Sequence, residues 1–187
     1  AVGGVAAFVT FGQAYQSARI MTWLDPFWDP LNQSREIIYS LIGISNGAIQ
    51  GQGYLQSMQK TFFPESSSSD YIFMVISEEW GIIGALFTIL ILVGISTICL
   101  VIGSKAVTRF GMLYSYGFAF LILIQTFINI GGVTNFIPMT GVTLPFISSG
   151  INSLAFLSIG LFIVVFIDRD TVRYNKNRDE KKDGLFL

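Results

Sequence analysis

The chain of 187 residues is 52% apolar and 12% charged, with 11 Lys and Arg against 12 Asp and Glu and a net charge of -1. Its charged fraction is about half that of a soluble domain, and with no basic face and no recognition motif nucleic acid is excluded as a partner. No histidine occurs, which removes Ser-His and Cys-His nucleophilic sites and His-based zinc sites.

Residues 1–15, AVGGVAAFVTFGQAY, open without Met or a basic region, unlike a secretory signal, and are expected to be the outer end of a transmembrane helix that starts upstream. Residues 16–80 follow, with seven acids (Asp25, Asp29, Glu36, Glu65, Asp70, Glu78, Glu79) against Arg19, Arg35 and Lys60. So long a connection is functional or disordered. Its recurrent aromatic and branched residues argue for order, in short helices and turns at the membrane interface. In WLDPFWDP, Trp23, Phe27 and Trp28 surround two Asp-Pro turns and suit anchors at headgroup level. Gly43, Gly47, Gly51 and Gly53 mark backbone that bends or closely approaches a neighbour; their spacing fits neither a P-loop nor a dinucleotide fingerprint.

Two uncharged runs then set the architecture: Trp80–Ser104 is 25 residues long and Phe110–Ile167 is 58, against the roughly 20 needed to cross hydrocarbon. They predict an all-α polytopic bundle with spans at 81–103, 110–130 and 148–167. Cys99 falls in the first run and reads as a small hydrophobe. Between the last two spans, Gly131, Gly132, Pro138, Gly141 and Pro145 predict a broken, re-entrant segment over 131–147. Irregular backbone at membrane depth persists only where it is buried in protein or faces a watery cavity. Eight of the eleven Lys and Arg lie in the 104–109 connection or the 168–187 tail, so both are expected to be cytoplasmic and residues 16–80 extracellular.

Without histidine, any acid or base must be a carboxylate or Lys. In PESSSSDYIFMVISEEWG, Asp70 precedes the next helix and reads either as its N-cap or as a functional acid. Glu78 and Glu79 fall two turns in, where burial demands a partner such as Lys60 or Arg35. Lys60 reads as a solvated cation or as a counter-ion for a polyprenyl pyrophosphate.

GQGYLQSMQKTFFPESSSSDYIFMVISEEWGIIGAL and NIGGVTNFIPMTGVTLPFISSG together resemble the SEDS proteins (shape, elongation, division and sporulation), the family of FtsW, RodA and SpoVE. The pattern is met by Lys60, Pro64, Glu65, Asp70, Ile72, Phe73, Glu78, Glu79 and Gly81. The Gly-Gly-Val wording leans toward the FtsW branch. The chain departs from the family at Gly150 to Ser153 and at Ser66 to Ser69.

The resemblance implies the C-terminal part of a ten-helix membrane protein with a large extracellular loop. It also implies a peptidoglycan glycosyltransferase of the bacterial cytoplasmic membrane that polymerises lipid II. Partners would be a class B penicillin-binding protein and other divisome or elongasome membrane proteins. Asp70 would be catalytic, and Ser57, Gln59, Lys60, Glu78, Glu79, Pro145, Ser148 and Ser149 would bind substrate. A divalent cation, Mg or Mn, is a conceivable cofactor, although its ligands are not evident in the sequence. The same cavity and acids would suit a precursor flippase or a non-catalytic scaffold for a transpeptidase. The uncharged spans favour a site on the outer face over a path through the membrane.

Overall fold

The computed structural model describes residues 16–62 and 67–183; residues 1–15, Pro64, Glu65 and Ser66 lie outside them. Every regular element among the described residues is helical: α1 (16–24), α2 (Arg35–Gly47), α3 (Gln59–Phe62), α4 (Ile72–Lys105), α5 (Arg109–Val133) and α6 (Ile151–Asp183). Three helices, α4, α5 and α6 as far as Arg178, are long and apolar enough to cross a membrane. Their exposed Ile, Leu and Phe side chains, among them Phe87, Leu90, Phe120 and Phe162, suit contact with lipid.

The helix boundaries depart from expectation in three places. α4 starts at Ile72 and is two helices end to end, interrupted at Gly81 (φ 67°, ψ -164°); such a positive φ suits glycine alone. Asp70 therefore precedes a short first helix, Ile72 to Trp80, and not the span itself. α5 runs through Gly131 and Gly132 to Val133. These glycines do not break the helix but let the returning chain close on it: a Cβ on Gly132 would meet Met139 Sδ at 2.7 Å, and one on Gly131 would meet Ile137 at 3.0 Å. α6 begins only at Ile151, so Ser148 and Ser149 precede it. It continues through the charged tail to Asp183, where Lys176 and Glu180 pair across one turn at 4.0 Å. The break predicted around Pro138 and Pro145 is present: residues 134–150 contain no helix.

The chain divides into two compact units, Ala1–Phe87 with Phe127–Leu144, and Thr88–Thr126 with Pro145–Leu187. In the first, α2 presents Gly43 and Gly47 to the part of α4 before Gly81. A Cβ on Gly43 would meet Met74 Sδ at 2.7 Å, and one on Gly47 would fall on the Ser77 carbonyl oxygen. The Ser40 hydroxyl donates to the Val133 carbonyl at 2.9 Å and ties α2 to the end of α5. The loop after α2 fills the break in α4. Gln52 N–H donates to the Glu78 carbonyl (2.9 Å), Gly53 N–H to the Glu79 carbonyl (3.0 Å), and Ile82 N–H to the Ala48 carbonyl (3.0 Å). Backbone groups that a helix break would strand are thus satisfied by the loop. The glycines of GISNGAIQGQG supply the close approach their spacing suggests.

The second unit packs Cys99, Phe118, Ala119, Ile122, Leu157 and Val164 into one buried cluster. The Ser96 hydroxyl crosses to the Ala119 carbonyl at 2.9 Å. Cys99 is 1% exposed, in keeping with its reading as a small hydrophobe.

Candidate active site

Asp70 lies in a turn over 69–71. The Tyr71 carbonyl accepts the first helical hydrogen bonds of α4, from Met74 N–H (3.0 Å) and Val75 N–H (3.4 Å). The cap position therefore belongs to Tyr71, and Asp70 stands one residue outside it, which removes the N-cap role as its reason for being there. Three other segments meet it. From α5, the Asn129 amide donates to the Asp70 carbonyl at 2.8 Å and to the Val142 carbonyl at 2.7 Å. From the segment after α5, Gly141 (φ +74°) sits so close that a Cβ there would lie 3.5 Å from Asp70 Oδ2 and 3.9 Å from Arg19 Nη2. From α1 comes Arg19 itself.

Burial pushes the Asp70 carboxyl above its ordinary value of 3.8, opposed by a hydrogen bond from the Ser69 hydroxyl and by the charge of Arg19. A carboxylate that is partly desolvated yet kept ionisable by one cation is the arrangement proton abstraction needs.

Tyr71 and Arg19 also line a cavity of about 520 Å³, whose wall is continued by Trp23, Asn32, Gln33, Arg35, Glu36, Asn135 and Met139. The cavity lining thus holds cations, amides and aromatic rings together.

A second cluster is buried beside this turn in the sequence. Glu78 is fully buried and Glu79 is 7% exposed, so both face protein and not lipid. No ion pair joins either to Lys60 or Arg35 among the described residues. Instead the Ser57 hydroxyl donates to Glu78 Oε2 and accepts from Lys60 N–H at 3.3 Å, which sets the start of α3. Glu78 Oε1, Glu79 Oε1 and Gln59 Oε1 are buried without a hydrogen-bond partner among the described residues. The sequence pointed to an ion pair because it could not show a hydroxyl within reach.

Of the remaining expected binding residues, Pro145, Ser148 and Ser149 belong to the second unit; Pro145 and Ser148 are buried and Ser149 is exposed. No three Asp, Glu, His or Cys side chains among the described residues converge as metal ligands. Arg19, Asn129 and Gly141 were not picked out from the sequence. An uncharged amide within an apolar helix, next to a Gly-Gly pair, was the signal available for Asn129.

A family model described as "Cell cycle protein", spanning FtsW, RodA and SpoVE, matches residues 1–173. A protein of Bacillus subtilis (strain 168) described as a probable peptidoglycan glycosyltransferase FtsW is 40% identical over 165 residues, covering 88% of this chain and 41% of the relative. The peptidoglycan glycosyltransferase MrdB of Escherichia coli (strain K12) is 37% identical over 155 residues, covering 82% and 42%. A chain of a peptidoglycan synthase complex, solved to explain how polymerization and crosslinking are coordinated, aligns with a TM-score of 0.64 at 26% identity, over 91% of this chain and 48% of that one. The chain thus spans less than half the length of the relatives it matches.

Proposed function

Because the chain belongs to the FtsW/RodA/SpoVE family of cell cycle proteins, we propose that it is the C-terminal part of a peptidoglycan glycosyltransferase that polymerises lipid II at the outer face of the cytoplasmic membrane. The observation that carries this reading is Asp70, half-buried next to Arg19 and adjoining a polar cavity. In the reaction, the C4 hydroxyl of an acceptor GlcNAc attacks C1 of the donor MurNAc. A new C1–O bond forms as the bond from C1 to the pyrophosphate oxygen breaks, and undecaprenyl pyrophosphate leaves with the electron pair. Asp70 takes the hydroxyl proton, in a role that typically contributes 10²- to 10⁴-fold. Arg19 holds the carboxylate ionised and pre-aligned, and Asn129 fixes the backbone of Asp70 and Val142.

Lys60, Ser57 and Gln59 are assigned to the pyrophosphate side, with Lys60 as counter-charge. A class B penicillin-binding protein is the expected crosslinking partner, a reading supported by the synthase complex that this chain resembles. The weight of Lys and Arg in residues 104–109 and in the tail supports a cytoplasmic C-terminus.

The deciding experiment incubates the purified full-length protein and its partner with lipid II and resolves the glycan strands by gel. Wild type is expected to make strands and Asp70→Asn to make almost none. Translocation of lipid II across vesicles by a wild type that makes no strands would move the assignment to transport.

A further inference from the structure

Arg35 opens α2 with an exposed side chain in the wall of the 520 Å³ cavity. Its guanidinium forms no ion pair or hydrogen bond with a described residue and lies over the Tyr39 ring, 5.7 Å from the centroid. An exposed arginine is usually a solvated cation. Two features set this one apart.

The acid just before it in the chain is already engaged: the Asp29 carboxylate accepts from the Asn32 side-chain amide (3.1 Å) and from Gln33 N–H (3.4 Å). The face of the Tyr39 ring also attracts the guanidinium, 5.7 Å from its centroid. The wall it belongs to carries Arg19 and Arg35 against Glu36, a net positive lining. The same lining includes Tyr71, the residue after Asp70. A guanidinium fork with no ion pair among the described residues is a binding group for an oxyanion.

We infer that Arg35 is a specificity-determining residue that grips an oxyanion of the saccharide substrate through a two-pronged hydrogen bond. This rests on the glycosyltransferase reading above. Lipid II offers two sources of that chemistry, its pyrophosphate and the carboxylates of its stem peptide.

The test uses the full-length protein with its partner and two forms of lipid II, one with free stem-peptide carboxylates and one with them amidated. Arg35→Gln is expected to raise KM about 10-fold or more, the range for losing one charge-assisted hydrogen bond, with kcat little changed. Arg35→Lys should recover part of the loss, as charge without the fork. A KM defect confined to the carboxylate form identifies the stem peptide as the group gripped. An equal defect on both forms identifies the pyrophosphate. Thermal unfolding in detergent confirms that the variants fold, as their exposed position leads one to expect. An active wild type whose KM is unmoved by Arg35→Gln on either form overturns this assignment alone, whereas a wild type that polymerises neither form overturns the glycosyltransferase reading and this assignment with it.

Discussion

The side-chain amide of Asn129 spends both of its hydrogens on backbone, one on the Asp70 carbonyl at 2.8 Å and one on the Val142 carbonyl at 2.7 Å. A single side chain of α5, 1% exposed, thereby sets the distance between the turn that carries Asp70 and the segment that carries Gly141. Asn129→Leu keeps the volume and removes both donors. The full-length protein should lose about 2 to 4 kcal/mol of stability, and polymerisation per folded molecule should also drop. Thermal unfolding in detergent, paired with strand synthesis, measures both. Full activity in a protein that unfolds at a lower temperature would mean that the bridge is structural only.

For Asp70, the comparison is between Asn and Ala. Asp70→Asn keeps shape but cannot take a proton, so polymerisation should fall about 100-fold or more at unchanged abundance. Because Asp70 lies outside the cap position, Asp70→Ala should be no less stable than Asp70→Asn; a cap would cost about 1 kcal/mol more in Ala. Near wild-type synthesis by Asp70→Asn would falsify the assignment of the base.

The pH dependence has a definite sign. A base works as the carboxylate, so kcat/KM should decline as pH falls through the Asp70 pKa, which burial places above 3.8. Arg19 stabilises the charged form. Arg19→Gln should therefore move that acid limb to higher pH, and Ser69→Ala should move it the same way, since each removes an influence that lowers the pKa. An acid limb that stays in place in Arg19→Gln, whatever happens to the plateau, would separate Arg19 from the base.

Ser57 and Glu78 should behave as a coupled pair. Ser57→Ala leaves Glu78 Oε2 without that donor in a side chain whose other oxygen is already unpartnered among the described residues, at a cost of about 1 to 3 kcal/mol. With Glu78→Gln as the second arm, the double variant should show a coupling of about 0.5 kcal/mol or more. Additive effects would mean that the contact carries no energy.

At Gly47 and Gly51 an added methyl group has nowhere to go, since its position coincides with the Ser77 and Glu79 carbonyls respectively, and Gly51 also has φ +76°. Either Gly→Ala change should lower stability by about 3 kcal/mol or more, at the upper end of single-site effects. Gly94→Ala, whose Cβ would meet nothing within 4 Å, is the matched control in α4 and should be nearly neutral.

Apolar run lengths made the three spans legible, because the cost of a charge in hydrocarbon is paid residue by residue along the chain. Pro138 and Pro145 likewise announced the break after α5. What stayed hidden depends on contacts between distant segments. Gly131 and Gly132 read as helix breakers but serve as a flat surface for Ile137 and Met139. Gly81 stands in the family pattern, but nothing in the sequence marks it as the place where α4 is interrupted. Arg19 counted only as charge until α1 brought it to Asp70. For Glu78 the need for a partner was readable, but its nature, a hydroxyl instead of a cation, was not.

The interruption of α4 at Gly81 is bridged by three main-chain bonds, from Gln52, Gly53 and Ile82. All three involve one loop, residues 48–53, so they should open together and exchange their amide hydrogens in step. The segment that carries Glu78 and Glu79 is thus tied to the integrity of that loop.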